Sequence, residues 1–459
     1  MIKPGRNHAG GFWAAAGAIR PQRRLEYNPG VMKSLARKIY SDDFVQNSFV
    51  FFVGSFIVAV VNYLYYPVMS RVLSIEDFGE VQVIVTILLQ ITVILNVFGY
   101  IAVNLCGNIR DEAVRTVRVR NLEGAAITIV ALFGVLALVF SSYIDAYLKL
   151  GSVLVVATLA LVFVVNVPFT IKSAWLQAQN RFKEISLANL ISGSAKILLA
   201  LPLIAAGIGV DGALFGLIAA TFLSLVFVSR RAQTRFRLTD HLGENYFRII
   251  LRDPVIREDL LYGALIFCAL FSINVLYSAD VILVRRFFSV TDSGLYSGIT
   301  VIGRIIFFST FAISAVLLPS VRLTATAREN SRNLQKALLL TVLLDGFFLL
   351  LFLIAPQTVV RVLIGAKYLE FSGLLFRVGL FILLASLLNV LFVYAIALRK
   401  MFISLIGIAA SVAVFALSYM HNASVAEVVD NFIIVNGLAL TATAVYLLAS
   451  RRRVGAVKT

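Results

Sequence analysis

Five charged side chains interrupt the long apolar stretches of this chain and are the residues best able to do chemistry. They are Lys196, Asp280, Arg304, Asp345 and Arg377. A charged side chain at the centre of a bilayer costs roughly 2.5 to 3.5 kcal/mol, so such residues ordinarily pair with one another or line a route for a solute or ion. The cations can compensate an anion such as a phosphate group, and the carboxylates are candidates for coupling to an ion gradient.

Depth separates three of the five from the others. Lys196, Arg304 and Asp345 lie about 12 to 15 Å from the ends of their apolar stretches, at 1.5 Å per helical residue. Asp280 and Arg377 lie nearer one surface, where a side chain can extend toward water. Two interpretations of the deep residues are open: a buried ion pair, for example Asp345 with Arg304 or Lys196, and a hydrated cavity. Asp280 and Asp345 are the candidates for ion coupling.

Polar side chains recur at helical spacing in the same stretches. The clearest set follows at i, i+4, i+7 and i+11 on one predicted helix face: Asn166, Thr170, Ser173 and Gln177. Neighbouring stretches add Asn62 with Tyr66, Asn189 and Ser192 before Lys196, and Ser297 and Thr300 before Arg304. Such residues also serve as hydrogen bonds between packed helices, and both interpretations stay open for each residue. If they share a cavity, its excess of cations favours an anionic or phosphate-bearing solute.

The elements that position these residues are predicted to be membrane-spanning helices. The chain is 60% hydrophobic and 14% charged, with a mean hydropathy of +0.92, which excludes a water-soluble surface at this length. No period-two alternation suggests a β-barrel. Twelve stretches are long enough to cross the hydrocarbon core as helices, at residues 46–69, 80–104, 123–144, 151–171, 186–208, 210–229, 260–284, 295–318, 337–355, 371–396, 401–420 and 430–450.

The distribution of Lys and Arg predicts the orientation. Of 41 such residues, 32 fall in alternate connections and in the two termini, and six fall in the other connections. This is the positive-inside pattern with both termini in the cytoplasm. The net charge of +17 is therefore a topology signal, and we expect no nucleic-acid partner.

The two halves of the chain carry a short repeat. Arg71–Gly79 and Arg286–Gly294 share Arg, Ser, Asp and Gly at a constant offset of 215 residues, which is typical of parallel lobes. We interpret Arg71 and Arg286 as an outer gate or as interface anchors, pairing with Asp77, Asp292 or lipid phosphate. We expect Gly79 and Gly294 to permit a tight turn into the following helix. The predicted domains are a cytoplasmic N-terminal tail (1–45), an N lobe with spans 1–6 (46–229), a basic cytoplasmic linker (230–259), a C lobe with spans 7–12 (260–450) and a cytoplasmic C-terminal tail (451–459).

Enzyme and cofactor chemistry find little support in the sequence. Two cysteines and three scattered histidines suggest neither a disulfide framework nor a metal site. No nucleotide-binding P-loop motif occurs, and the outer connections are too short to carry a catalytic domain. We predict a secondary transporter or flippase with no cofactor, no metal and no catalytic residue.

Five ordered stretches resemble a known family. They are Asn62–Gln82, Ala174–Phe182, Leu276–Ser297, Val316–Ser320 and Ala355–Tyr368. They are similar to the polysaccharide transporters of the multidrug/oligosaccharidyl-lipid/polysaccharide exporter superfamily, over about residues 40–450. The resemblance implies an all-α polytopic protein with twelve transmembrane helices in two pseudo-symmetric six-helix lobes, a MATE-like fold.

The same resemblance implies a function and partners. It implies a flippase of the bacterial inner membrane that moves undecaprenyl-diphosphate-linked oligosaccharide to the outer leaflet by alternating access, for O-antigen, capsule or exopolysaccharide assembly. Its partners would be the lipid-linked oligosaccharide, membrane lipids, a polysaccharide polymerase and glycosyltransferases. Lys196, Arg304 and Arg377 would compensate the diphosphate, and the polar helix faces would bind sugar hydroxyls.

A cation-coupled multidrug or small-solute transporter is the alternative. Drug exporters of the superfamily characteristically use an acidic residue in their first spans. Here no carboxylate occurs between Asp43 and Glu76 or between Glu80 and Asp111, which favours the flippase.

Overall fold

The computed structural model describes residues 43–109, 111–150, 153–232, 254–321 and 326–456, and Val50–Thr459 cluster as one compact unit. The predicted N-terminal tail and the linker at 230–259 lie largely outside the described residues, and the C-terminal tail does so in part, so these domain limits stay predictions. The described chain is helical almost throughout. Its elements are α1 (Asp43–Val72), α2 (Ile75–Asn108), α3 (Glu112–Val139), α4 (Ser141–Leu148), α5 (Val153–Ala178), α6 (Phe182–Ala205), α7 (Gly209–Ala232), α8 (Pro254–Ser278), α9 (Asp280–Phe287), α10 (Val290–Ser320), α11 (Ala327–Ile354), α12 (Pro356–Leu363), a 3₁₀ helix (Ala366–Leu374), α13 (Leu375–Ala397), α14 (Ile403–Met420) and α15 (Val425–Ala456).

The expectation of an all-helical, multi-pass membrane protein is confirmed. Nine helices among the described residues are long and apolar enough to cross a membrane, and α8 with α9 makes a tenth if this pair, bent by 50°, is one span. Helices α1 and α10 are 30 and 31 residues long, which exceeds the roughly 20 residues that a span needs, but they are not among these ten. The count of twelve therefore stays a prediction.

The two halves repeat with a fixed register. Adding 215 to the bounds of α3 gives those of α11, and the same offset relates α4 to α12 and the start of α2 to the start of α10. In both halves two long helices are thus followed by a helix of eight residues. The offset inferred from nine residues holds over residues 75–148 and 290–363.

The repeated residues form the same helix cap twice. The Ser74 hydroxyl accepts a hydrogen bond from the Asp77 backbone N–H at the start of α2, and the Ser289 hydroxyl does so from the Asp292 N–H at the start of α10, at 3.0 Å in both cases. A serine at this position satisfies one of the backbone donors that a helix start leaves free. The conserved spacing of the repeat thus fixes where α2 and α10 begin.

The glycines of the repeat have a different role from the one predicted. Both lie inside helices, and α2 crosses α10 where they meet. A Cβ atom on Gly79 would lie 2.7 Å from Gly294 Cα, and one on Gly294 would overlap the Ile75 carbonyl group. The expected tight turn was wrong, because the glycines instead let two helix backbones approach closely.

Helix α2 lies at the centre of the contacts between the halves. It packs against α5 in its own half and against α8 and α10 in the other. In the C-terminal half, α13 packs against α10, α11 and α15. These contacts place α1, α2, α8 and α10 around the residues that the charged side chains occupy.

Gly294→Ala is expected to reduce the yield and the Tm of the folded protein, because overpacking a close contact costs about 1 to 3 kcal/mol. The monodisperse fraction in mild detergent and its Tm measure the effect. Gly346→Ala is the matched control, since open space surrounds Gly346 on α11. Equal Tm values for the two variants would contradict the close crossing.

Candidate functional site

A buried ion pair occupies the C-terminal half. Arg304 Nη2 on α10 lies 3.4 Å from Asp280 Oδ1, and the residues are 4% and 0% exposed. The Tyr296 hydroxyl donates to the other Asp280 oxygen at 2.8 Å. One of the two open interpretations, a buried ion pair, therefore describes Arg304, although its partner is Asp280 and not Asp345. Asp280 was expected to lie near one surface, where its side chain can extend toward water, but it is fully buried.

The break between α8 and α9 explains why this pair is stable inside a helix bundle. Asp280 is the first residue of α9, where a helix favours negative charge, and Arg304 donates at 3.4 Å to the carbonyl of Ser278, the last residue of α8, where a helix favours positive charge. The broken helix thus supplies two opposite partial charges at one point. It compensates both ions of the pair.

Aromatic rings surround Arg304. Its guanidinium lies 5.5 Å from the centroid of the Tyr277 ring, and that ring stacks on Phe307 at 3.9 Å. Tyr66, on α1, is close enough to interact electrostatically with Arg304. Arg304 therefore faces a helix of the N-terminal half.

Lys196 also contacts α1 and is compensated differently. Its Nζ donates to Asn62 Oδ1 at 2.6 Å and lies 4.9 Å from the centroid of the Tyr65 ring. Among the described residues it has no carboxylate partner. Asn62 and Tyr66 are one turn apart on α1, so a short piece of one helix contacts Lys196 and approaches Arg304. We call Lys196, Arg304, Asn62, Tyr65 and Tyr66 the central cluster.

Two other predicted charges lie elsewhere. Arg377 is exposed and pairs with Asp430 on α15 at 2.9 Å, so the structure does not bring it to the central cluster. Asp345 is fully buried on α11, where its two oxygens accept from the Thr310 hydroxyl at 2.8 and 3.0 Å.

The predicted polar faces are not gathered at one cavity. Asn166 donates to the Val162 carbonyl of its own helix, and Thr300 does the same with Ser297. Thr170 places a methyl group opposite Gly99 of α2. The remaining members range from exposed to half-buried: Gln177 is exposed, whereas Ser173 and Asn189 are half-buried.

A polar face on α2 was missed by the sequence analysis. Gln82, Thr86 and Gln90 follow at i, i+4 and i+8, and Gln90 Nε2 donates to Ser278 Oγ of the other half at 2.9 Å. The spacing was visible in the sequence, as it was for the Asn166 set.

A second buried pair was also missed, on the opposite side of the N-terminal half. Lys172 Nζ on α5 lies 3.5 Å from Glu123 Oε1 on α3. The sequence analysis had ended this span at residue 171 and counted Lys172 with a cytoplasmic connection. Helix α5 instead continues to Ala178 and carries Lys172 into the bundle.

The end of the bundle that carries the repeat has reciprocal contacts between the halves. Arg71 donates to the carbonyls of Val362 and Leu363 at 2.6 and 2.9 Å, at the C-terminal end of α12. In the other half, Arg285 donates to the equivalent end of α4, at the Leu148 and Lys149 carbonyls, at 2.9 and 2.6 Å. The last carbonyls of a helix lack partners within it and carry partial negative charge, so they bind cations.

Two lysines complete these contacts. Lys149 Nζ donates to the Phe288 carbonyl at 2.6 Å, and Lys367 Nζ donates to the Leu73 carbonyl at 2.5 Å; Phe288 and Leu73 are 215 residues apart. Burial, with the positive charges of Arg285 and Arg286, lowers the pKa of Lys149. We call the Arg71, Arg285, Lys149 and Lys367 interactions the repeat-end contacts.

The predicted partners of the repeat arginines need correction. Arg71 contacts backbone carbonyls and not Asp77, and Arg286 lies 4.8 Å from the centroid of the Tyr147 ring and not beside Asp292. Asp77 and Asp292 instead belong to the helix caps. Arg285, which the sequence analysis did not single out, is 1% exposed and also lies 3.7 Å from Glu80 Oε2.

Metal ligands do not cluster in the part of the chain that the structure describes. No group of three or more His, Cys, Asp or Glu side chains is found there. Cys106 and Cys268 are free thiols.

Comparison with known proteins adds a family and a fold. The sequence profile of a family described as "Polysaccharide biosynthesis protein" matches residues 68–373, about two thirds of the chain. None of the curated proteins matches at a significant level.

Solved structures of similar fold are all distant in sequence. The lipid II flippase MurJ in an inward closed conformation is 13% identical, with a TM-score of 0.66 over 87% of each chain. An inward-facing multidrug resistance MATE family transporter of the MOP superfamily is 14% identical, with a TM-score of 0.62 over 87% of this chain and 95% of that one. A eukaryotic MATE transporter is 13% identical, with a TM-score of 0.58 over 89% and 96%. The expected MATE-like fold is confirmed.

Asp280→Asn is expected to destabilise the protein by about 3 to 5 kcal/mol, because it leaves the Arg304 charge buried without its partner. The Tm in detergent measures the loss. Asp430→Asn is the control, because it breaks an exposed pair worth at most about 1 kcal/mol. The double variant Asp280→Asn/Arg304→Gln should recover part of the loss. A Tm for Asp280→Asn equal to that of Asp430→Asn would show that the pair contributes nothing.

Proposed function

The chain belongs to the polysaccharide biosynthesis protein family, and from that premise we propose that it is a flippase for a lipid-linked oligosaccharide. The substrate we propose is undecaprenyl-diphosphate-linked oligosaccharide, moved from the cytoplasmic to the outer leaflet of a bacterial inner membrane for O-antigen, capsule or exopolysaccharide assembly. Glycosyltransferases would supply this substrate and a polysaccharide polymerase would consume it. We assign no catalytic step to the chain.

The central cluster carries the proposal. Lys196 is a half-buried cation of α6 whose charge, among the described residues, is met by a neutral amide and an aromatic ring and by no carboxylate. Both are weak partners compared with an anion, and a charge-assisted hydrogen bond to phosphate is roughly twice as strong as one between neutral groups. A diphosphate can therefore replace Asn62 as the partner of Lys196. Arg304, which interacts with Tyr66 one turn along α1 from Asn62, is the second cation that the diphosphate meets.

The chemistry of a lipid-linked sugar requires such a route. The diphosphate and the sugar hydroxyls are costly to move through hydrocarbon, whereas the prenyl tail is at home there. We infer that the headgroup passes between the halves while the tail stays in lipid. The concentration of Lys and Arg in alternate connections favours cytoplasmic termini. The repeat lies in the other set of connections, so we infer that the repeat end faces the outside.

The repeat-end contacts then act as the outer gate. Arg71 and Arg285 join the two halves through helix C-termini, and Arg286 adds a ring contact with Tyr147. Opening toward the outer leaflet requires these hydrogen bonds to break. Asp280 and Asp345 stay the candidates for ion coupling, and Asp280 contacts Arg304 of the central cluster.

A cation-coupled multidrug or small-solute transporter is the second candidate, because MATE transporters share the fold. The two candidates differ in what accumulates when the chain is lost. A deletion strain of the flippase collects lipid-linked sugar on the inner leaflet, whereas loss of a drug exporter raises drug susceptibility and leaves polymer intact.

Lys196→Gln is expected to lower polymer export at least tenfold, because it removes a charge-assisted bond to phosphate worth about 1.5 to 3 kcal/mol. Complementation of the deletion strain measures polymer and lipid-linked sugar together. Lys196→Arg should retain part of the activity, and Lys183→Gln, at an exposed position, should match the wild type. Normal export by Lys196→Gln would remove Lys196 from the site.

Arg71→Ala is expected to open the outer end more often, since each hydrogen bond that it loses contributes about 0.5 to 1.5 kcal/mol. A cysteine introduced at the fully buried Ser293, after replacement of Cys106 and Cys268, reports the opening. Because Arg71 makes two such bonds to the other half, labelling of this cysteine by a membrane-impermeant maleimide from outside should rise at least about fivefold. Arg361→Ala is the control, because Arg361 is exposed on α12, the short helix that Arg71 contacts. Unchanged labelling in Arg71→Ala would argue against a gate.

A further inference from the structure

The contact between α2 and α10 contains buried polar side chains without partners. Gln82, Thr86, Ser293 and Ser297 are 0% exposed and Gln90 is 9% exposed. Both side-chain polar atoms of Gln82, the hydroxyls of Thr86, Ser293 and Ser297, and the carbonyl oxygen of Gln90 make no hydrogen bond to any residue that the structure describes. We call these five residues the α2–α10 seam.

Helical spacing places the seam on the facing surfaces of the two helices. On α2, Gln82, Thr86 and Gln90 continue the face that begins at Gly79, where the backbones of α2 and α10 meet. On α10, Ser293 and Ser297 continue to Arg304 at i+11 and i+7. Gln82 and Ser297 are also 215 residues apart, so they occupy equivalent positions in the two halves, and on α10 the same face continues from Gly294 to Arg304 of the central cluster.

Some polar contacts between helices in this protein are hydrogen-bonded. Asn389 Nδ2 donates to Ser314 Oγ at 3.1 Å, and Ser404 Oγ donates to the Leu265 carbonyl at 2.8 Å. Single buried hydroxyls elsewhere, such as those of Thr341 and Ser386, also lack a partner among the described residues, whereas the seam places five residues with unpartnered polar atoms on two helices that pack together. Polar groups inside a membrane protein are favoured where water or a ligand reaches them. The seam is therefore suited to a conformation in which α2 and α10 are apart.

We propose that the seam is the sugar-binding wall of the route in the outward-open conformation. This inference rests on the proposed flippase function. When the repeat-end contacts break, the amides and hydroxyls of the seam bind the hydroxyl groups of the oligosaccharide, while Lys196 and Arg304 bind the diphosphate.

The chemistry of the seam selects the neutral part of the headgroup. It carries amide and hydroxyl groups, each able to donate or accept, and no charged side chain. Sugar hydroxyls likewise donate and accept. The headgroup would then lie with its phosphates at the central cluster and its sugars toward the repeat end.

Transport of two probes by the purified full-length chain in proteoliposomes tests this inference. One probe is fluorescent undecaprenyl diphosphate carrying a neutral oligosaccharide, and the other is the same lipid diphosphate without sugar. The variants are Thr86→Val and Ser297→Ala, alone and together. Each removes an unpartnered hydroxyl and adds no bulk, so we expect folding to be unaffected, which size-exclusion chromatography checks. Thr92→Val is the matched control, because Thr92 is exposed on the same helix.

We expect the double variant to move the oligosaccharide probe at least fivefold more slowly and the sugar-free probe at the wild-type rate. Lys196→Gln should slow both probes, and Thr92→Val neither. Equal slowing of both probes by the seam variants, or no slowing of either, would overturn the sugar-binding role and leave the flippase function standing. A wild-type chain that moves neither probe would overturn the proposed function and the seam assignment together.

Discussion

Charge inside a membrane has to be compensated by groups other than bulk water, and this requirement organises the interior of the protein. Arg304 is compensated by Asp280 and by the broken helix between α8 and α9. Arg285 is compensated by the C-terminal carbonyls of α4 and by Glu80. Lys196 has only Asn62 and the Tyr65 ring. Of these three cations, Lys196 therefore has the weakest compensation, and an anion that binds there gains the most. For this reason we assign the anion site to Lys196.

The pseudo-symmetry explains where the two halves touch, and its imperfections explain where they differ in chemistry. The 215-residue offset gives each half the same helix cap, the same glycine and the same eight-residue helix whose carbonyls receive a side chain from the other half. Position 70 is a serine that donates weakly to Ile364 at 3.3 Å, whereas its equivalent, Arg285, donates twice. Arg304 corresponds to Leu89, so the deep arginine is present in one half alone. The two halves thus share their helix arrangement but differ in the charged residues that they place at equivalent positions.

Most of the fold could be predicted from the sequence, because apolar length and the Ser-x-x-Asp caps act locally. The cost of burying charge selected Lys196 and Arg304 from the sequence, and the structure places both beside α1; their role in transport stays a proposal. The orientation predicted from the distribution of Lys and Arg also stays a prediction. Partners could not be predicted, since spacing reveals the face of a helix but not the helix opposite it. For this reason the sequence did not reveal that Arg304 pairs with Asp280 and not with Asp345, or that Arg377 is exposed. It also did not reveal that Gly79 and Gly294 lie at a helix crossing and not at a turn.

The repeat-end contacts and the Asp280–Arg304 ion pair differ in the chemical change that can break them. The repeat-end contacts use backbone carbonyls as acceptors, which do not titrate, but Glu80 lies beside Arg285, and the donors Lys149 and Lys367 can lose a proton, since burial lowers the pKa of Lys149. The pair of Asp280 and Arg304 has a carboxylate that can take a proton, and Tyr296 and Tyr66 share its surroundings. Protonation of Asp280 would free Arg304 without touching the carbonyl contacts at the repeat end. In the proposed mechanism, ion coupling at Asp280 would therefore act on the charge of the central cluster, and the proposed outer gate would open in response to what that cluster binds.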